Sequence, residues 1–226
     1  MSSNRTFLSS LRHWSFVIAV FLNLTTVVAQ TLPPAEKGPF RQPNLVELIR
    51  LDPTLKLDIR YASANNFVGQ PVYDSGRAFL QRQAAEALAR AHRKAKARGY
   101  GFLVLDAYRP WEVTQLFWER FPHFRPYLAD PAHGSRHNRG CAVDLTLFDL
   151  RTGYEIQMPS TYDDFSERAH PGYLGGTASQ REARDLLRAL MESEGFSVYE
   201  NEWWHFDCKE WREYPIMNIR FSDVGN

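Results

Sequence analysis

Ser135-Arg136-His137-Asn138-Arg139-Gly140-Cys141-Ala142-Val143-Asp144-Leu145-Thr146-Leu147 runs from a turn containing Gly140 into a strand. From 142 to 147 the alternation is clean, with Val143, Leu145 and Leu147 on one face and Ala142, Asp144 and Thr146 on the other. The strand therefore turns one carboxylate away from its apolar face, and a histidine stands just across the turn. Upstream, Leu80, Ala84, Leu88, Ala91 and Ala95 recur at helical spacing over 78–98, with Gly99 as the stop signal. The basic residues Arg90, Arg93, Lys94, Lys96 and Arg98 of this segment read as a solvated face. An apolar run at 101–105 predicts a buried strand that empties into Asp106-Ala107-Tyr108-Arg109-Pro110, and a second helix is predicted from Pro110 to about Arg120. Downstream, Ala183, Leu186, Leu187, Leu190 and Met191 predict a helix over 179–194, ended by Gly195, and a last strand over 203–208 carries His205. Helices and strands in this order, without regular βαβ alternation, predict an α+β fold with an antiparallel-rich central sheet and flanking helices.

Composition narrows the function. The chain has 226 residues, 27 Lys+Arg against 26 Asp+Glu, 44% apolar residues and two cysteines. A net charge of +1 leaves no electrostatic footprint for nucleic acid, and two cysteines are too few for a disulfide scaffold. Residues 1–29 read as a signal peptide: Arg5, Arg12 and His13 precede an apolar run over 16–28, and Val27-Val28-Ala29 offers a cleavage site. That run is shorter than the roughly 20 residues a spanning helix needs, so no stable membrane insertion is expected after cleavage. Cleavage leaves 25 basic against 26 acidic residues, a nearly neutral exported protein whose expected place in a bacterium is the periplasm. Residues 30–43, with Pro33, Pro34, Pro39 and Pro43, read as an extended leader, and 44–226 as one domain.

The chemistry lies in two places. His137 and Asp144 flank the Gly140 turn, and Glu202-Trp203-Trp204-His205 adds a carboxylate and a second imidazole. Two imidazoles and one carboxylate are a common ligand set for a catalytic zinc that keeps a position open for water, and the remaining carboxylate suits a general base. Each residue alone is a weak signal, because buried polar side chains usually serve ordinary hydrogen bonds.

Taken together, Ser-x-His-x6-Asp at 135–144, Leu145-Thr146-Leu147 and Glu202-Trp203-Trp204-His205 resemble the zinc D-alanyl-D-alanine dipeptidases, the group that includes the vancomycin-resistance dipeptidase. Further matches are Asp58-Ile59-Arg60-Tyr61-Ala62, Asn65-Asn66-Phe67-Val68-Gly69, Asp106-Ala107-Tyr108-Arg109-Pro110, and Asp163 with Glu167-Arg168. The wider superfamily adds D,D-carboxypeptidases, lysostaphin-type endopeptidases and the hedgehog signalling domain.

The resemblance implies one zinc ion per chain held by His137, Asp144 and His205, with Glu202 as catalytic base and Arg109 facing the oxyanion. It implies that Tyr61, Ser135 and Asp163 hold the ammonium of a small D-amino-acid dipeptide. The implied reaction is hydrolysis of D-alanyl-D-alanine to two D-alanines. The alternatives are a peptidoglycan D,D-carboxypeptidase acting on longer stem peptides, or a non-catalytic zinc-stabilised binding module. The segment between Pro110 and Ser135 is shorter than in the resistance enzyme, which implies a more open cleft.

Strand parity adds three expectations. Residues three apart on a regular strand face opposite ways, so Glu202 is predicted to precede the strand on a turn or bulge that aims it at the metal of His205. Cys141 and Cys208 are predicted to point away from the metal face, as a disulfide or as two buried thiols. Among the other histidines, His133 lies beside Pro131 and Gly134, which disfavour a helical ligand pair with His137; His92 and His123 read as surface residues, and His170 as a loop residue.

Overall fold

In the computed structural model, which describes residues 32–225, the elements follow as β1 (Leu45–Glu47), α1 (Leu48–Leu51), β2 (Lys56–Leu57), β3 (Phe79–Gln81), α2 (Arg82–Lys96), β4 (Tyr100–Asp106), α3 (Trp111–Arg120), β5 (Ala142–Asp149), α4 (Ala178–Glu192), β6 (Phe196–Tyr199) and β7 (Glu202–Cys208). The segment read as a signal peptide lies outside the described residues. Within them, no helix is long and apolar enough to cross a membrane.

The main sheet has the order β2-β4-β5-β7-β6. Only β2 runs parallel to its neighbour β4; the other pairings are antiparallel, so the α+β, antiparallel-rich expectation is met by a mixed sheet. β5 is central and buried from Ala142 through Phe148, because both of its faces are covered. Val143, Leu145 and Leu147 join a core with Leu88 and Ala91 of α2 and Leu187 and Met191 of α4. Each fully buried leucine contributes about 1.5–3 kcal/mol relative to exposure, which makes this layer the anchor for the strand positions described below.

Sequence and structure differ in three places. The helix predicted from 78 begins only at Arg82, because Phe79–Gln81 is recruited as a strand against Leu45–Glu47, with Leu80 paired to Val46, 34 positions upstream. His92 is buried, not on the surface: it falls on the same stripe as Leu88, Ala91 and Ala95, stacks on Phe102 with ring centroids 5.4 Å apart, and meets Asp52 Oδ2 through Nδ1 at 3.0 Å. Glu202 is the first residue of β7 and does not precede it. The bulge expected there exists on the pairing with β6, where the register jumps between Val198–Phe206 and Tyr199–Glu202.

The remaining predicted elements agree closely. α3 starts directly after Pro110, and α4 opens with a capping box in which Thr177 and Gln180 each satisfy the other's backbone N–H, a device worth about 1 kcal/mol. Both cysteines are buried free thiols, and the Cys208 N–H donates to the Cys141 carbonyl at 2.7 Å. Ahead of β1, residues 32–44 form neither helix nor strand; Glu36 ties them to the domain by accepting from the Ile216 N–H at 2.7 Å and pairing with Arg139 at 2.5 Å.

Candidate metal centre and cleft

Strand register assembles the centre. Asp144 of β5 is paired with Asp106 of β4 on one side and with His205 of β7 on the other, which sets three ionisable residues in one row across the sheet. His137 reaches this row from a single 3-10 turn, His137–Arg139, which Gly140 closes in the left-handed region at φ +66°. A side chain at 140 is disfavoured twice, by that φ and because its Cβ would stand 2.6 Å from Leu45 Cδ2. The turn is fixed from below: the Arg109 N–H donates to the His137 carbonyl at 3.1 Å, and Asn138 donates to the Arg109 carbonyl and to Thr114 Oγ1, both at 2.9 Å.

Three donor atoms converge. His137 Nε2 lies 3.1 Å from His205 Nδ1 and 3.4 Å from Asp144 Oδ1, and His205 Nδ1 lies 3.0 Å from the same oxygen. Ligands bonded tetrahedrally to zinc at 2.0–2.2 Å stand about 3.4 Å apart, so this triangle fits one face of such a site. The opposite edges of both rings are engaged: His137 Nδ1 meets the Ala107 carbonyl at 2.6 Å, and His205 Nε2 meets Asp207 Oδ1 at 3.0 Å. Protons placed there leave two lone pairs facing each other, which an intervening cation relieves. Asp144 Oδ1 is buried without a hydrogen bond, while Oδ2 accepts from the Tyr162 hydroxyl at 2.9 Å. The donor set and its orphaned oxygen fit a divalent metal.

Burial alone would raise the Asp144 carboxyl, yet His137 and His205 hold it far below the usual carboxylate range. Burial opposes charge on His205, and Asp207 and Asp144 overcome it and raise its pKa. Asp207 is itself held low against burial by His205, with help from Arg136, whose Nη1 is bonded to Asp207 Oδ2.

Glu202 and Arg109 flank the triangle. Glu202 Oε2 is 3.6 Å from His205 Nδ1, and burial raises its pKa. Arg109 is nearly buried, with Nε and Nη2 on Asp106 Oδ2 at 3.1 and 2.7 Å and its guanidinium 5.1 Å from the Tyr61 ring centre and 5.2 Å from that of Phe117. Asp106 has no exposure and also accepts from Tyr73 at 2.8 Å, so it holds the arginine firmly.

The centre opens into a cavity of about 290 Å³ that includes Tyr61, Arg109, Ser135, Asp163, Glu202 and Trp204 in its wall. At one end the Tyr61 hydroxyl donates to Asp163 at 3.3 Å, and the Phe67 N–H donates to the same carboxylate at 3.3 Å. Asp163 has φ +59°, a left-handed backbone that Asp tolerates better than most residues, and burial together with Asp144 pushes its carboxyl up to about 8. Ser135 lines the cavity but engages the turn of His137: its Oγ accepts from the His137 N–H at 3.2 Å, and among the described residues it has no hydrogen bond to Tyr61 or Asp163. His123, His133 and His170 are exposed and take no part.

Asp106, Tyr162 and Asp207 were not singled out from sequence. Asp207 had a signal: two residues beyond His205 on a strand, it must share that residue's face. Asp106 lay inside a stretch quoted for the resemblance but was given no role of its own, and Tyr162 had no signal beyond adjacency to Asp163.

A His2Asp donor set with a carboxylate and an arginine beside it in a cleft defines a mononuclear metallohydrolase. The chain belongs to the D-ala-D-ala dipeptidase family, whose model matches residues 41–224. The D-alanyl-D-alanine dipeptidase of Escherichia coli (strain K12) is 34% identical over 178 residues, covering 79% of this chain and 91% of the relative. That of Enterococcus faecium is 34% identical over 187 residues, covering 74% and 91%. Among solved structures, the vancomycin resistance D,D-dipeptidase VanXYg in complex with a D-Ala-D-Ala phosphinate analog aligns over 58% of this chain and 51% of its own, at 20% identity and a TM-score of 0.38.

Proposed function

We propose that this chain is a zinc-dependent dipeptidase that hydrolyses D-alanyl-D-alanine to two D-alanines after export to the periplasm. The observation that carries the reading is the convergence of His137, Asp144 and His205 beside Glu202 and Arg109 in one cleft that ends at Asp163. Family membership and relatives named for the same activity support it. Export rests on the basic and apolar pattern of residues 1–29 alone.

His137, Asp144 and His205 would hold the zinc, which when bound polarises the peptide carbonyl and makes water a competent nucleophile near neutrality. Glu202 takes the proton of the attacking water and returns it to the departing amine; burial, which raises its pKa, brings it closer to the range such a base needs. Arg109, permanently charged and clamped by Asp106, faces the oxygen that becomes negative in the tetrahedral intermediate. Asp163 and Tyr61 receive the substrate ammonium. An acylated amine, as in a stem peptide, brings no charge to that carboxylate and leaves it desolvated, so the D,D-carboxypeptidase alternative is disfavoured. A purely structural zinc site has no need of Glu202 or Arg109.

The test is D-alanine release by the zinc-loaded protein from D-alanyl-D-alanine and from a pentapeptide ending in the same two residues. Cleavage of the dipeptide alone is expected. Cleavage of the pentapeptide moves the protein to the carboxypeptidases, and cleavage of neither with zinc bound leaves the binding module.

A further inference from the structure

A zwitterionic dipeptide has two charged ends, and the residues above provide for only one. Its carboxylate must lose water in a cleft whose wall already carries three acidic side chains, Asp144, Asp163 and Glu202. Two arginines line this cavity among the described residues, and there is no lysine. Arg109 is committed elsewhere: Nε and Nη2 are both on Asp106, Tyr61 and Phe117 lie against it, and what remains of its fork is the part assigned above to the oxyanion.

Arg136 is placed differently. Its side chain is 36% exposed, and its guanidinium lies 5.0 Å from the Trp211 ring centre and 5.7 Å from that of Tyr199, so the fork is steadied by aromatic surface. Nη1 binds Asp207, and no other hydrogen bond of the guanidinium occurs among the described residues. Contacts across the cleft floor run from Asp163 and Tyr61, through Tyr162 on Asp144, to His205, Asp207 and Arg136. Asp163 and Arg136 thus stand at the two ends of one run of contacts that passes through Asp144 and His205, and both line the same cavity, an arrangement that suits a ligand with a charge at each end of a peptide bond.

We propose that Arg136 is a specificity-determining residue that holds the free carboxylate of the leaving residue, so that the site selects peptides ending in a free α-carboxylate over amides of the same sequence. This rests on the dipeptidase reading and adds a residue to it. The guanidinium fork matches a carboxylate in geometry as well as charge.

The experiment first assays turnover of D-alanyl-D-alanine by the unmodified protein, which tests the dipeptidase reading by itself. Binding of D-alanyl-D-alanine and of D-alanyl-D-alanine amide is then titrated into zinc-loaded Glu202→Gln protein, with and without Arg136→Gln or Arg136→Lys, and zinc content is measured in each. Arg136→Gln is expected to weaken the free acid about 10- to 100-fold more than the amide, with zinc retained and partial recovery in Arg136→Lys. Equal weakening of both ligands would reduce Arg136 to a support for Asp207 and overturn the proposal, as would no weakening of either. Absence of turnover in the unmodified protein would remove the dipeptidase reading and this inference together, whereas turnover with an unaltered acid-to-amide preference would remove this inference alone.

Discussion

On the sheet side of the cleft, Asp144 and His205 occupy paired positions of two central strands, and the outer ring nitrogens and second carboxylate oxygen there are met at 2.6–3.0 Å by Ala107, Asp207 and Tyr162. On the loop side, Asp163 reaches the same cleft from a left-handed backbone and, among the described residues, is held by contacts of 3.3–3.4 Å from Tyr61 and Phe67. The first region is fixed by ladders of hydrogen bonds and a packed core, and the second by a few longer contacts on a connection. On the function proposed above, chemistry that tolerates little displacement sits on the rigid elements, and recognition of one end of a substrate is left to loops.

The comparison breaks most completely through the sheet side. Removing the metal with a chelator, or replacing His205 with Ala, is expected to abolish dipeptide hydrolysis; zinc should restore the chelated protein and fail to load the variant. A full equivalent of zinc in purified His205→Ala would end its assignment as a ligand.

Glu202→Gln separates chemistry from assembly on the same side. It should lower kcat by on the order of 100- to 10,000-fold while zinc content and the unfolding transition stay unchanged. Turnover within a few-fold of the unmodified protein would remove Glu202 from the proton transfer.

The loop side gives the smallest effect and a pH signature. The Asp163 carboxyl rises from 3.8 to about 8 in the folded chain, so between those values the folded state holds a proton that the unfolded state has released. Stability contributed at this position therefore falls as pH rises from about 4 to 8 and is level beyond. Pairing with an ammonium requires the charged form, so dipeptide binding below pH 8 should expel this proton and tighten as pH rises. Calorimetry on zinc-loaded Glu202→Gln at pH 6.5, in buffers of different ionisation enthalpy, should report net proton release on dipeptide binding, less than one per dipeptide because zinc on Asp144 and the loss of Glu202 both lower the Asp163 carboxyl. Asp163→Asn should release none and raise KM more than it lowers kcat; an unchanged proton count in that variant would place the titrating group elsewhere.

The residues that could hold a metal were legible as residue types at telling positions, and so were α3, α4, β4, β5 and the end of β7, because periodicity and stop signals are local. Three things were not. Phe79–Gln81 left the helical pattern for a strand because its partner lies far upstream, at Leu45–Glu47. His92 went inside because the helix's apolar stripe, and not its basic composition, decides what faces the core. Glu202 and His205 reach one site despite their spacing because the ladder with β6 is broken between Val198 and Tyr199.

By itself the sequence determined the chemical inventory and the local conformations: which side chains can hold a metal, take a proton or carry a fixed charge, and where helices and strands start and stop. The tertiary structure decided what those groups became. Register across three strands set Asp106, Asp144 and His205 in one row, the Gly140 turn brought His137 to it, and contacts between distant segments aimed Arg109, Asp163 and Arg136 into one cleft. Those relations are non-local, fixed by strand pairing and burial between residues far apart in the chain, and no window of sequence contains them.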